Sequence, residues 1–148
     1  MSAFLLINGP NLNLLGSREP EVYGATSLAD IEKRCEAVAA GLGHELACFQ
    51  SNAEHELIDR VQQAQQDAVD FIVLNPGAFT HTSVALRDAL LAVDIPFVEI
   101  HLSNTFAREE FRHKSLTARG CVGQISGLQS MSYVLALEGL VDFIARST

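Results

Sequence analysis

The apolar run Phe-Ile-Val-Leu at residues 71–74 most constrains the fold, because it changes abruptly into a polar turn. A short β-branched run without polar alternation is typical of a strand covered on both faces, as in a parallel sheet. Pro76 and Gly77 allow a sharp turn after Asn75, so residues 80–82 (Thr-His-Thr) collect near the strand's carboxyl end. Such ends are where open α/β sheets bind ligands.

Further short apolar runs alternate with segments of helical periodicity. The predicted strands are residues 4–7, 45–49, the run from Phe71, residues 95–102 and residues 121–125. The predicted helices are residues 28–42 after a Ser27 cap, a segment with Leu57, Ile58, Val61, Ala64 and Ala68 inward, residues 84–93 and residues 131–144. This alternation predicts a three-layer, doubly wound α/β fold with a five-stranded parallel sheet. A strand order of 2-1-3-4-5 would bring the loops after Asn8 and Asn75 together.

Size and composition narrow the class of protein. The 148 residues, 48% of them hydrophobic, predict a single domain over residues 1–148. The net charge of −8 argues against nucleic acid as a partner, since binding to phosphates needs a basic face. The sequence shows no membrane-spanning run and no cleavable leader, so we expect a cytoplasmic protein without membrane contact. Its three cysteines are odd in number and have no metal-ligand spacing, which is typical of small buried residues in a reducing compartment.

A carboxylate and an imidazole lie two residues apart in the fourth predicted strand. Strand alternation places Glu99, His101 and Ser103 on one face and Val98, Ile100 and Leu102 on the other. Glu99 would fix the tautomer of His101 and raise its basicity, which suits a general acid or base near neutral pH. The structural alternative is a core histidine that is satisfied by a carboxylate.

Two other segments carry groups with possible chemistry. The long aperiodic loop of residues 14–25 holds Arg18 and Tyr23, and a neighbouring guanidinium favours phenolate; the alternative is a solvated turn with Tyr23 as an anchor. Residues 107–114 are predicted as a short helical turn that points Arg108 and Arg112 the same way to grip an oxyanion, or else as an ordinary charged surface helix.

The sequence resembles the type II 3-dehydroquinate dehydratases over essentially its whole length. The matching blocks are residues 7–16, residues 18–24, residues 50–52 with Glu54, residues 74–84, residues 99–104 and residues 108–112. The resemblance implies a flavodoxin-like fold and a homododecamer built from trimers. It also implies a lyase that dehydrates 3-dehydroquinate to 3-dehydroshikimate by anti elimination through an enolate, in the shikimate pathway or quinate catabolism, without metal or cofactor.

The resemblance also implies a role for each site residue. Tyr23 would be the base, with Arg18 stabilising its phenolate, and Asn11 would hold a water that supports the enolate. His101, oriented by Glu99, would protonate the departing hydroxyl. The residues implied in substrate binding are Asn75, His81 and Arg112 for hydroxyls, Leu102 and Ser103 for the carboxylate, and Asp88, which would reach a neighbouring subunit's site. Arg108 would support the site and its lid.

Two departures and two rival functions accompany this resemblance. Phe79 stands where many members have tyrosine, and residues 127–132 replace a more glycine-rich stretch, which bears on subunit contacts more than on activity. A flavodoxin-like binding module without catalysis is the main alternative, but residues 8–13 offer amides and a proline rather than a phosphate nest. A phosphoacceptor domain would need acidic residues where Asn8 and Asn75 stand.

Overall fold

The computed structural model describes residues 1–17, 19–23 and 25–147, except for the side chain of Tyr23. One five-stranded, all-parallel sheet organises these residues, with the order β2-β1-β3-β4-β5. The strands are β1 (Ala3–Asn8), β2 (Glu45–Gln50), β3 (Phe71–Asn75), β4 (Phe97–His101) and β5 (Gly123–Ser126). The helices are α1 (Pro20–Tyr23), α2 (Leu28–Gly41), α3 (Glu54–Gln66), α4 (Val84–Val93) and α5 (Met131–Ser147). The predicted flavodoxin-like fold and its strand order are confirmed.

Helices cover both faces of the sheet, so its central strands are apolar on both sides. In β1, Phe4 and Leu6 contribute to the core under α2 and α5, while Leu5 and Ile7 contribute to the core under α3 and α4. This is why the runs lack polar alternation. Burying such a side chain stabilises the fold by roughly 1.5–3 kcal/mol. In the described part of the chain, no helix is long and apolar enough to cross a membrane.

Serine side-chain caps fix where two of the helices begin. Ser27 caps α2 in a reciprocal capping box, because its hydroxyl accepts from the Asp30 amide while the Asp30 carboxylate accepts from the Ser27 amide. Ser83 caps α4 in the same position, accepting from the Leu86 amide at 2.9 Å. The capped start of α4 fixes the preceding turn, residues 77–81, against the end of β3.

Several predicted boundaries were wrong. Residues 14–25 are not wholly irregular, because α1 interrupts them, and Ala68 is exposed beyond the end of α3 with a φ of 56°. The predicted strand at 95–102 is shorter, Phe97–His101, and that at 121–125 is shifted to Gly123–Ser126. Residues 107–114 do not form one helical turn, because the backbone is extended at Arg108 between two separate 3-10 turns, Thr105–Ala107 and Glu110–Arg112.

Of the three cysteines, Cys35 is buried, whereas Cys48 and Cys121 are half-buried, and all three are free thiols. Burial raises the pKa of Cys35 to about 12, despite the opposing effect of Arg34. A neutral thiol is a poor nucleophile, so Cys35 contributes packing rather than chemistry.

Candidate active site

A cleft lies at the carboxyl ends of β1, β3 and β4, where parallel strands deliver their exit loops to one edge of the sheet. Asn8 and Asn75 end neighbouring strands and are register partners. The residues that line the cleft are Pro10, Asn11, Leu12, Asn75, Gly77, Ala78, His81, His101, Leu102, Ser103, Thr105, Arg108 and Arg112. The structure therefore brings together eight of the predicted site residues: Asn11, Asn75, His81, His101, Leu102, Ser103, Arg108 and Arg112.

The predicted pairing of Glu99 with His101 is present. Oε2 of Glu99 lies 2.9 Å from Nε2 of His101, and because a carboxylate only accepts, the imidazole donates. Nδ1 is thus the ring nitrogen left for the cleft. Val98, Ile100 and Leu102 lie in the core on the opposite face of β4, as the alternation predicted.

Three hydroxyls surround the Glu99 carboxylate, an arrangement that no pattern in the sequence predicts. Thr80 and Ser115 donate to Oε2 at 2.9 and 2.8 Å, and Thr117 donates to Oε1. Burial favours the neutral acid, but hydrogen bonds from His101, Thr117 and Ser115, together with the charge of His101, outweigh it and hold the pKa of Glu99 below its usual range. The site therefore contains a buried, ionised carboxylate.

Asn75 is held from both sides. Its Oδ1 accepts from the Gly77 amide at 3.1 Å, and its Nδ2 donates to the Tyr133 hydroxyl at 2.9 Å. Tyr133, fully buried in α5, donates in turn to Oδ1 of Asn8 at 2.6 Å. These bonds fix which way the Asn75 amide faces, so one amide hydrogen remains for the cleft. A tyrosine on an apolar helix face is a signal that its hydroxyl has a buried partner.

The other ring in the cleft is also oriented. Nδ1 of His81 lies 2.7 Å from the carbonyl oxygen of Lys114, so that nitrogen carries the proton and Nε2 is available to a ligand. At the mouth of the first loop, Asn11 adopts a left-handed conformation with a φ of 69°, which asparagine tolerates better than most residues. The backbone amide of Asn11 donates to Oδ1 of Asn52 at 2.9 Å.

Arg108 and Arg112 both line the cleft, although not for the predicted reason, since they belong to different turns. Nη1 of Arg108 donates to the Ser103 hydroxyl at 3.1 Å. Nε of Arg112 pairs with Glu109, whose pKa this bond lowers, and its guanidinium lies 4.9 Å from the centre of the Phe111 ring. Both alternatives for this segment therefore hold in part. Glu109 and Arg112 form an ordinary surface ion pair, and Arg108 and Arg112 bring two cations to the cleft.

Four predicted site residues do not line the cleft as the structure describes it. Glu99 is fully buried and is linked to the cleft through His101. Asp88 is exposed on α4 and does not line it. Arg18 and the side chain of Tyr23 lie outside the described residues. The adjacent residue Val22 is described, and its carbonyl oxygen accepts from Nε2 of Gln129 at 2.7 Å. The divergent stretch 127–132 therefore contacts the segment that carries Tyr23.

An oriented histidine, two arginines and fixed amides at the switch point of a doubly wound sheet define a class of protein: small α/β enzymes that perform acid–base chemistry on a polar ligand. A family model described as "Dehydroquinase class II" matches residues 2–141. The chain belongs to this family.

Individual relatives agree with this assignment. A 3-dehydroquinate dehydratase of Thioalkalivibrio sulfidiphilus (strain HL-EbGR7) is 57% identical over 147 residues, covering 99% of this chain and all of that protein. One from Sodalis glossinidius (strain morsitans) is 60% identical over 143 residues, covering 97% of this chain and 95% of that protein. Among solved structures, the type II dehydroquinase of Butyrivibrio crossotus DSM 2876 superposes with a TM-score of 0.92 at 42% identity, covering 95% of this chain and 97% of that one.

Proposed function

We propose that the chain is a hydro-lyase that removes water from 3-dehydroquinate to give 3-dehydroshikimate, a step of the shikimate pathway. The Glu99–His101 pair, which opens onto the cleft of a chain in the class II dehydroquinase family, is the observation that carries this proposal. The reaction needs a base that takes a proton beside the ketone and an acid that protonates the departing hydroxyl. The charges that develop on the ketone oxygen and on the departing hydroxyl must also be stabilised.

The base is Tyr23. The chain has two tyrosines, and Tyr133 is excluded because it is fully buried and burial raises the pKa of its phenol above the ordinary value. Arg18, five residues before Tyr23, would stabilise the phenolate. Loss of the proton forms an enolate, and a water held by Asn11 would support its oxygen. The hydroxyl then leaves the enolate from the face opposite the abstracted proton, and the carbon–carbon double bond forms.

The acid is His101. Its Nε2 is occupied by Glu99, so Nδ1 would give its proton to the departing hydroxyl, which leaves as water. The buried Glu99 carboxylate lies 2.9 Å away and stabilises the imidazolium before transfer. The enolate electrons fill the new double bond, and the tyrosine proton returns to solvent or to the histidine to complete the cycle.

The remaining polar groups would bind substrate. Asn75, His81 and Arg112 would contact its hydroxyls, and the backbone of Leu102 with the Ser103 hydroxyl would hold its carboxylate. Arg108, which donates to Ser103, supports that subsite. The bound substrate would thereby be oriented before any bond is broken.

We also propose that activity needs neither metal, other cofactor nor a lysine Schiff base. The only lysines, Lys33 and Lys114, are exposed and neither lines the cleft. No group of His, Cys, Asp and Glu in the described part of the chain has the arrangement of a metal site. Turnover should survive both chelator and borohydride treatment with substrate present.

The assembly proposed for this enzyme is a homododecamer, a tetramer of trimers, in the cytoplasm. Asp88 is exposed on α4, where it is free to reach a neighbouring subunit's cleft. Large apolar side chains are exposed beside the cleft, with Phe106 at 69% and Phe111 at 64% of their full surface. Sedimentation of fully active protein as a stable monomer would exclude this assembly.

The activity is tested by incubating purified protein with 3-dehydroquinate. The product has a double bond conjugated with a ketone, so ultraviolet absorbance should rise with time, and a His101→Ala protein should give almost no increase. Stable binding of a flavin, with no rise in absorbance on adding 3-dehydroquinate, would instead favour the binding-module alternative.

A further inference from the structure

We propose that Ser115 and Thr117 are positioning residues of the dehydration: their hydroxyls hold the Glu99 carboxylate and, through it, fix the tautomer and orientation of His101. This inference rests on the function proposed above. Neither residue lines the cleft, and neither belongs to the sequence blocks that carry the family resemblance. With Thr80 they form the hydroxyl cluster around Glu99.

The hydrogen-bond donors around Glu99 show which protonation state of its carboxyl group the hydroxyl cluster favours. Ser115 accepts from the Ala118 amide at 3.0 Å, so its own proton is directed to Oε2 of Glu99 at 2.8 Å. Thr117 donates to the other oxygen, Oε1, and His101 donates to Oε2. Donors thus face both carboxylate oxygens, and a protonated Glu99 would have to point a proton at one of them. The cluster therefore favours the ionised form.

Apart from the bond between the Ser115 hydroxyl and the Ala118 amide, backbone contacts hold the segment without its hydroxyls. The Leu116 amide donates to the carbonyl oxygen of Thr80 at 2.6 Å, and the Lys114 carbonyl oxygen accepts from His81 at 2.7 Å. Thr117 is buried, with 1% of its surface exposed. Removing a hydroxyl should therefore leave the segment in place while freeing the carboxylate, which makes the positioning role separable from folding.

Among the described residues, two titratable groups face Glu99. They are His101 on the same strand and Cys121 on the segment before β5, whose thiol stays neutral because burial and Glu99 both raise its pKa. The neighbouring strands place Leu74 and Gln124 opposite Glu99, and neither titrates. Protonation of the Tyr23 phenolate sets the upper part of the acid limb in every variant, so a change confined to the low-pH end of that limb after loss of a hydroxyl would report on Glu99 and its partner imidazole.

The test compares Ser115→Ala, Thr117→Val and the double variant with wild type, by steady-state kinetics from pH 4 to 10. We expect kcat to fall about tenfold in each single variant, less than the roughly 10²–10⁴-fold that a general acid contributes, because His101 itself is retained; KM should stay within about twofold because the cleft is untouched. The low-pH end of the acid limb of kcat, below the part that Tyr23 sets, should move upwards by about half a pH unit or more, because Glu99 protonates more easily. Thr117→Ser keeps the hydroxyl and should restore both quantities.

Ser51→Ala is the matched control. The Ser51 hydroxyl donates to Oε1 of Glu56 at 2.8 Å and accepts from the Ala53 amide at 2.9 Å, the same pair of bonds that Ser115 makes, but away from Glu99. It should lower stability without moving the acid limb. If Thr117→Val does not fold, Ser115→Ala decides alone. Wild-type kcat and acid limb in Ser115→Ala would overturn the positioning role, whereas an inactive wild type would overturn the proposed function itself.

Discussion

The hydroxyl of Tyr133 lies 2.9 Å from Nδ2 of Asn75 in the protein interior, although 58 residues separate them in sequence. Helix α5 thereby reaches under the sheet edge and orients a residue of the cleft. Because burial raises the pKa of this phenol above its ordinary value, the hydroxyl is neutral at neutral pH and remains available as a hydrogen-bond donor.

Tyr133→Phe should expose the importance of that link. The variant leaves Asn8 and Asn75 with unmet hydrogen-bonding groups, so the free energy of unfolding should drop by about 1–3 kcal/mol. The Asn75 amide loses its fixed orientation, and KM should rise several-fold with a smaller change in kcat. Denaturant unfolding and steady-state kinetics measure the two effects. Unchanged stability and KM would contradict the role assigned to Tyr133.

Gly9→Ala should displace the backbone of the loop after β3, which lines the cleft. A Cβ at this position would lie 2.5 Å from the carbonyl oxygen and 2.7 Å from the carbonyl carbon of Pro76, and the Gly9 amide already donates to the Asn75 carbonyl at 2.8 Å. Backbone must move, so we expect a loss of about 1–3 kcal/mol of stability and a raised KM. Gly139→Ala is the control, since its Cβ meets nothing within 4 Å and alanine favours the α5 helix. Equal stability of the two variants would contradict this close approach.

The ionised state of Glu99 gives stability a defined pH dependence. The folded pKa lies below the ordinary value, so this stabilisation is complete above about pH 4–5 and is lost as pH falls through the folded pKa. Wild type should be more stable than Glu99→Gln at pH 7, and the difference should shrink towards pH 3. Glu109 also has a lowered pKa, but it is common to both proteins and cancels in the difference. Parallel thermal unfolding curves from pH 3 to 7 would refute the assignment.

Gln129 offers a way to test the prediction that the loop of residues 14–24, which carries Tyr23, closes over the cleft as a lid. Its side-chain Nε2 donates to the Val22 carbonyl at 2.7 Å, and its backbone amide donates to the Leu102 carbonyl at 3.0 Å. Gln129 thus joins the segment that carries Tyr23 to the end of β4. In Gln129→Ala, trypsin should cut after Arg18 several-fold faster, and a product-like inhibitor should slow the cut in both proteins. Gln63→Ala, which removes an exposed bond to Asp67, is the control. A cleavage rate that changes neither in Gln129→Ala nor with the inhibitor would contradict a closing lid.

The features predictable from sequence were those encoded locally. The apolar runs of β1 and β3 reported burial on both faces, and the alternation in β4 reported that Glu99 and His101 share a face. The hydroxyls of Ser115 and Thr117 escaped notice because such residues are common in loops and their partner lies 16 and 18 residues away. A family resemblance named the site residues, but it did not reveal what holds them in place.

The segment around Arg108 shows a different kind of failure. Charged residues at helical spacing predicted one turn with two arginines side by side, but the extended backbone at Arg108 breaks it. Both side chains still reach the cleft because the segment folds back: Nε2 of His113 lies 3.2 Å from the Arg108 carbonyl oxygen, and its ring is tilted by 37° against the Phe106 ring. Tertiary contacts, which no local pattern encodes, decided the outcome.

The identity of the base is tested by Tyr23→Phe. The proton beside a ketone is weakly acidic, and a free tyrosine, with a pKa near 10, is mostly protonated at neutral pH. A guanidinium within a few ångströms typically lowers a phenol pKa by roughly one to three units, so Arg18 would populate the phenolate. Tyr23→Phe should therefore lose kcat by a factor on the order of a thousand or more with little change in ligand affinity, and Arg18→Gln should fall similarly. Tyr133→Phe, which removes the other phenol, should act mainly on KM. Near-wild-type turnover by correctly assembled Tyr23→Phe would show that another group takes the proton.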